Sequence, residues 1–423
     1  VPRTIFFTKL QGNQLFSMIR IQYNREKLPL KMAMKKLILI LLTVMTITFA
    51  GKSAAVYAQA EITPEIPAVN NDMALCLPGI YLETPDDCLP LGSSQILTDL
   101  ARKGLTVPLK PLPASKPSAD YVNLDQNYAK LNLQPGVQAA FYPNLDSAVA
   151  GINAFRFLPA GDLLYIAYTY QSDVGGKHFV QVENGEWVRA SPTYYSTFQG
   201  LHFSKTPSNS FGWILDQNKP SREPGYQADL VNETLVREQI VQVYDAVEAG
   251  NTTWYMIGLG KWVEQRYIAV VNVMPSPPDG VINGRWIEVN LYQQTLAVYD
   301  NNQLVFATII ATGVDPYFTQ PGLFQIYEKK ELETMTGAFA ADKSDYYYLE
   351  SVPWTMYFDQ NRALHGAYWR ALFGYPQSHG CVNLSVGDSH WLYDWANVGD
   401  WVYVWDPSGK TPTDPSFYGQ GGA

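Results

Sequence analysis

The chain is 423 residues long, enough for two to four domains that each bury a core. Its 16% charged and 13% aromatic residues exclude a disordered polymer, which would be richer in charge and poorer in large apolar side chains. The net charge is −9, yet residues 1–60 hold nine Lys/Arg against Glu26 alone, so the remainder stands at −17. That remainder has no basic face to neutralise phosphates, which argues against a nucleic-acid partner.

The basic N-terminus has the order of an export signal. Met34-Lys35-Lys36 opens a positive stub, Leu37 to Gly51 is uncharged, and Ala58-Gln59-Ala60 offers a small-residue cleavage site. The uncharged run falls short of the roughly 20 residues needed to span a bilayer. Residues 34–60 are therefore expected to be a secretory signal peptide, with membrane attachment only if the signal stays uncleaved. Residues 1–33 fit no part of this plan and read as an over-extended reading frame. The mature protein would begin near Glu61, in an extracytoplasmic compartment.

Residues 61–119 read as a Cys-containing segment followed by a Pro-rich linker, Val107 through Pro117. Cys76 and Cys88 stand twelve apart among Pro, Gly and Asp, and in an oxidising compartment a local disulfide is favoured over two free thiols. Cys381 is then the leftover thiol.

Between this linker and a second boundary at Met274 to Gly280 lies an internal repeat with a constant offset of 75. Ile166, Tyr168, Gly175, Phe179, Val182, Gly185, Trp187 and Val188 align without a gap onto Val241, Val243, Gly250, Trp254, Ile257, Gly260, Trp262 and Val263. Short apolar runs with Gly turns between them predict two small antiparallel barrels or sandwiches, over 120–195 and 196–274. Residues 233–249 also suit a helix, but the repeat partner favours strand. The pattern resembles tandem bacterial SH3-like modules; the alternative is one larger β domain with an accidental echo.

After the second boundary, Ile287, Val289 and Leu291 alternate with Glu288 and Asn290. Leu296 and Val298 follow, and after Asp300-Asn301-Asn302 comes Leu304 to Ile310, which predicts a half-buried hairpin. Ser385-Val386-Gly387-Asp388 fits a capping box for a short helix that Gly399 would close. Trp401 to Trp405 reads as a closing strand, and 406–423 as a flexible tail. The expected fold class is mainly β.

The chemistry concentrates late in the chain. His365, His379 and His390, three of only five histidines, lie within sixteen residues of Cys381. A thiol attacks only as thiolate, and its free pKa is about 8.5, so a neighbouring imidazole is needed to take the proton and return it to a leaving amine. The Gly380-Cys381 step suits a tight turn whose N–H groups hold an oxyanion, next to a helix N-terminus. Separately, each residue also fits a packing role, and the cluster also fits a metal site.

Taken together, the string resembles the L,D-transpeptidases of the YkuD fold. Their signature stands here as His365-Gly366 and then Ser378-His379-Gly380-Cys381-Val382-Asn383, within residues 283–405. Trp286 to Leu291 and Thr319-Gln320-Pro321-Gly322 also match, although Gln320 replaces a common Pro. The resemblance implies a β-sandwich catalytic domain with a short helix after the cysteine. It makes Cys381 the acylated nucleophile, His365 its base, the Gly366 carbonyl the group that orients the imidazole, and His379 with the amides of Gly380 and Cys381 the oxyanion site. Ser378 and Asn383 would hold the loop, while Trp354, Met356, Tyr357, Trp369 and Arg370 would line a donor groove. His390 matches no motif position.

The implied reaction is acyl transfer on peptidoglycan stem peptides, with covalent trapping by carbapenems at Cys381 and no metal or organic cofactor. Glycan strands are the implied partner of the β modules. Sortases need an Arg after the Cys, and none follows Cys381; papain-like wall peptidases place Cys before His. A wall-binding protein with an inert catalytic domain is the non-enzymatic alternative.

Overall fold

Four glycines set turns in the two repeat copies. Gly175 and Gly185, and their counterparts Gly250 and Gly260, all take positive φ, a backbone state open to glycine without a Cβ penalty. The computed structural model describes residues 75–77, 88–89, 92–131, 133–340, 342–343 and 345–419. The expected signal peptide and the stretch before it lie outside the described residues. Cys76 and Cys88 are joined as a disulfide.

A helix, α1 (Ser93–Arg102), and a short strand, β1 (Ala114–Ser115), precede the repeats. The first copy runs through β2 (Asn127–Lys130), β3 (Ala139–Phe141), α2 (Leu145–Ala150), β4 (Arg156–Leu158), β5 (Leu163–Tyr168), β6 (Tyr170–Val174), β7 (Lys177–Gln181), β8 (Trp187–Arg189) and β9 (Ser191–Pro192). After β10 (Leu201–Phe203), the second holds β11 (Ser210–Ile214), β12 (Ile240–Val243), β13 (Asp245–Ala249), β14 (Thr252–Gly258), β15 (Lys261–Glu264) and β16 (Ile268–Val271). The trios β5-β2-β9 and β6-β7-β8 of the first copy correspond to β12-β11-β16 and β13-β14-β15 of the second. The offset of 75 therefore carries a shared strand order, and the segment that also suited a helix ends in the two strands β12 and β13.

The C-terminal half contributes β17 (Trp286–Asn290), β18 (Thr295–Asp300), β19 (Gln303–Ile309), β20 (Gly322–Gln325), β21 (Glu328–Gly337), β22 (Tyr347–Asp359), β23 (Arg362–Gly366), β24 (Val382–Leu384), α3 (Val386–Trp395) and β25 (Trp401–Trp405). One sheet has the order β1-β10-β19-β18-β17-β25-β20; the other runs β24-β23-β22-β5-β2-β9, with β21 beside β22. Ile287, Val289, Leu296 and Val298 of the first meet Met356, Leu364, Val382 and Leu384 of the second in a core closed by Leu392 of α3. The fold is mainly β and sandwich-like. Ser385 caps α3, its Oγ accepting from Asp388 N at 3.2 Å. Gly399 does not close this helix: Ala396 ends it in extended backbone, and Gly399 takes φ +97° in the turn beyond.

The second sheet crosses the expected domain boundary. Leu163, Leu164 and Tyr165 of β5 pair in parallel with Tyr347, Tyr348 and Leu349 of β22. Nor are the Pro-rich stretches loose. Extended backbone can pair at a sheet edge, and β1, inside the first stretch, pairs with β10, which itself pairs with β19 and not with the second copy. Met274 N, at the second boundary, donates to Tyr299 Oη at 2.9 Å. The expected flexible tail folds back as far as residue 419: Asp406 accepts from Ser408 and Thr411, and Arg362 Nη2 donates to the Gly419 carbonyl at 3.1 Å.

One buried carboxyl gives this architecture a pH signature. Glu288 on β17 accepts from Trp405 Nε1 at 2.9 Å and Tyr299 Oη at 3.3 Å. Burial pushes it up from 4.5 to about 7, against the pull of both hydrogen bonds. A folded pKa above the unfolded one gives stability that is fully present below the unfolded value and lost as pH rises through the folded value. Glu288→Gln is therefore expected to gain on the wild type between pH 5 and 8, by about 1–3 kcal/mol at the upper end. Denaturant titrations at both pH values measure this, and an unchanging difference contradicts it.

Candidate active site

β23 and β24 are parallel neighbours, with Leu364 beside Val382, His365 beside Asn383 and Gly366 beside Leu384. Leu364, Val382 and Leu384 point into the sandwich core. Alternation then sends Ala363, His365, Cys381 and Asn383 to the opposite face. The motif histidine and cysteine thus share one face of adjacent strands.

Cys381 is fully buried and is the free cysteine of the described residues. Its Sγ accepts from Ala363 N at 3.3 Å and donates to the Asn361 carbonyl at 3.7 Å. Burial pushes the thiol up to about 12, opposed by the Ala363 N–H and the Arg362 charge. His365 is equally buried, and its Nδ1 donates to the Gly366 carbonyl at 3.3 Å. That bond fixes the tautomer and leaves Nε2 as the proton acceptor. Burial draws the imidazole down to about 4; the Gly366 carbonyl raises it and the Arg370 charge lowers it further. His365 makes no hydrogen bond to Cys381, and its Nε2 has no partner among the described residues. A sulfur held by Asn361 and Ala363 keeps its proton in this state.

The loop before Cys381 is tied internally. Ser378 Oγ donates to the Cys381 carbonyl and accepts from Gly380 N at 3.2 Å. The Gly380 amide, expected at the oxyanion site, is therefore committed to Ser378. Gly380 has φ +122°, a backbone state that favours glycine, and a Cβ there would sit a tight 3.1 Å from Arg362 Nε. Its carbonyl accepts from Thr319 Oγ1 at 2.8 Å. His379 packs among Tyr317, Phe339 and Tyr347, with ring centroids 4.9, 4.7 and 6.2 Å away.

The expected groove residues separate. Tyr357 pairs with Ala363 across β22 and β23, on the nucleophile's face. Met356, expected in the groove, is buried in the sandwich core, and Trp354, of the same parity, is buried and stacks on His390 of α3 at 4.0 Å, so neither lines a groove. Trp369 stands 5.7 Å from His365 between ring centroids. Trp369 and Arg370 line a cavity of about 290 Å³ with Asp162, Leu163, Gln377, Ser378, His379 and Asn383. Asp162 and Leu163 belong to the first repeat copy, which therefore walls this cavity; Cys381 and His365 are not among its lining residues. Asn383 exchanges backbone hydrogen bonds with Ala311.

Sequence reasoning names Thr319 only as part of a matching turn and misses its bond to the Gly380 carbonyl; it misses the buried Arg362–Asp359 ion pair, 2.8 Å long, altogether. Both reach the Cys381 turn from distant strands or loops, and no local spacing signals them. Among the described residues, no group of three or more His, Cys, Asp or Glu side chains is arranged to hold a metal ion.

Residues 284–404 match the YkuD family, described as the L,D-transpeptidase catalytic domain. Among solved structures, the chain is similar to an Enterococcus faecium L,D-transpeptidase cysteine variant, at 25% identity over 29% of this chain and 50% of that one, with a TM-score of 0.27. It is similar to an L,D-transpeptidase from Stackebrandtia nassauensis at 30% identity, over 31% of this chain and 58% of that one, with a TM-score of 0.24. A Mycobacterium smegmatis L,D-transpeptidase is 16% identical over 50% of this chain and 93% of that one, with a TM-score of 0.28. The chain thus spans little more than half the length of the first two. No curated protein matches it.

Proposed function

We propose that the protein is an extracytoplasmic L,D-transpeptidase acting on peptidoglycan stems. The observation that supports this best is a free cysteine on the same face as an imidazole whose Nε2 is held as a proton acceptor without a partner. Acylation requires Sγ to leave Asn361 and pass its proton to His365. The thiolate then attacks the carbonyl before the terminal D-Ala, an S–C bond forms, the C–N bond breaks, and His365 returns the proton to the departing amine. An amine of a second stem attacks the thioester, loses a proton to His365 and releases Cys381, leaving a 3→3 cross-link.

The Gly366 carbonyl orients the base. His379 and the Cys381 amide stabilise the oxyanion, joined by Gly380 if Ser378 releases it, and Ser378 and Asn383 hold the loop. Tyr357 and Trp369 flank the donor. Water or a protein amine as acceptor would give carboxypeptidation or wall anchoring by the same acyl-enzyme. The two repeat copies, read as SH3-like modules, would bind glycan strands, and the signal segment would deliver the protein across the membrane.

Incubation with a disaccharide-tetrapeptide, followed by mass analysis, is expected to give a dimer with loss of D-Ala. A tripeptide alone would indicate a carboxypeptidase, and unchanged substrate would favour a binding protein.

A further inference from the structure

Four buried polar atoms without a hydrogen-bond partner among the described residues gather at one place: His365 Nε2, Trp369 Nε1, Arg370 Nε and Asn383 Oδ1. The last three belong to residues that line the 290 Å³ cavity. An unpaired buried polar atom loses its hydration without replacement, so a cluster of them marks where a ligand's polar groups would complete the set.

The cation is the most informative member. Arg370 Nη1 and Nη2 donate to Gln377 Oε1 at 2.8 Å and to the Gln377 carbonyl at 2.9 Å, both neutral acceptors. Asp162 lines the same cavity but is exposed, and Arg370 forms no ion pair among the described residues. The site thus holds a positive charge that its own side chains leave unneutralised. Burial accordingly draws this guanidinium down to about 10.

We infer that Arg370 anchors the free C-terminal carboxylate of the acyl donor, with Trp369 Nε1 as a second donor and Asn383 Oδ1 accepting a substrate N–H. This rests on the acyl-transfer reading above. Position selects the carboxylate. Trp369 lies beside His365, and the amine that His365 would protonate is one carbon from the leaving residue's own carboxylate. A stem one residue longer would offer a neutral peptide bond at this point. Arg370 would thereby restrict cleavage to the last bond of the donor.

The test is calorimetric binding to the full chain carrying Cys381→Ser, using the disaccharide-tetrapeptide and its C-terminal carboxamide. The acid is expected to bind about 10- to 100-fold more tightly than the amide. Arg370→Gln should shrink that preference to about twofold, and Arg370→Lys should retain part of it. Equal binding of acid and amide, or a preference that survives Arg370→Gln, overturns the anchor. Turnover of the acid by the wild type separates the two readings. Preference without turnover supports the anchor and sinks the transpeptidase, whereas turnover without preference sinks the anchor alone.

Discussion

With a carbapenem, the wild-type protein is expected to gain one covalent adduct by intact-mass spectrometry, and the Cys381→Ala variant none. The chain has three cysteines, two are bonded to each other, and Cys381 alone is left to open a β-lactam ring. The pH profile tests how it does so. A thiol held near 12 ionises unaided only about tenfold more per pH unit through the neutral range. An imidazole drawn down to about 4 is neutral, and competent as a base, across that same range. Acylation through His365 should therefore be nearly flat from pH 6 to 9 and fall as pH drops through 4. His365→Gln should slow it by roughly 10²- to 10⁴-fold and replace the plateau with a continuous rise. An adduct that persists in Cys381→Ala excludes this thiol as the nucleophile.

Removal of residues 120–195 is expected to leave a catalytic half that aggregates instead of folding. These residues carry β2 and β5, which continue the β22 sheet. Tyr128 of β2 stacks on Tyr368 at 3.5 Å and donates to the Ser351 carbonyl at 2.7 Å. Ala167 N donates to Glu350 at 3.0 Å. Tyr128 and Tyr165 share one buried cluster with Leu349, Val352 and Tyr368. Deletion would strip that cluster and expose an unpaired strand edge, a template for aggregation. Size-exclusion chromatography and circular dichroism of the deletion variant decide the matter, and a folded monomer contradicts it.

The parts legible in the sequence are those fixed by short spacing. The β17–β18–β19 meander follows from period-two alternation and an Asp-Asn-Asn turn. The N-cap of α3 follows from Ser385 and Asp388. The repeat follows from glycines that must sit at positive φ. What is not legible depends on pairings far apart in sequence. Leu163 and Tyr347 become neighbours only in the folded sheet, which is why the first copy reads as a separate module. Trp354 reads as a groove residue by proximity to the motif, although its parity with Met356 already places it on the core face. The resting state of Cys381 is hidden for a different reason: Asn361 binds the sulfur through its backbone carbonyl, a group that every residue carries.

The parallel pairing of β5 with β22 has a mechanical consequence. Two domains on a flexible tether meet each other's ligands at an effective concentration set by linker length. Here β5 and β22 share hydrogen bonds, and Asp162, just before β5, lines the cavity that Trp369, Arg370 and Asn383 also line. A polymer gripped by the first copy would therefore be presented to Cys381 at a fixed distance and angle, with no linker to lengthen or shorten. Changing that geometry would require shifting a strand register, and a one-residue shift turns every side chain of the strand to the opposite face.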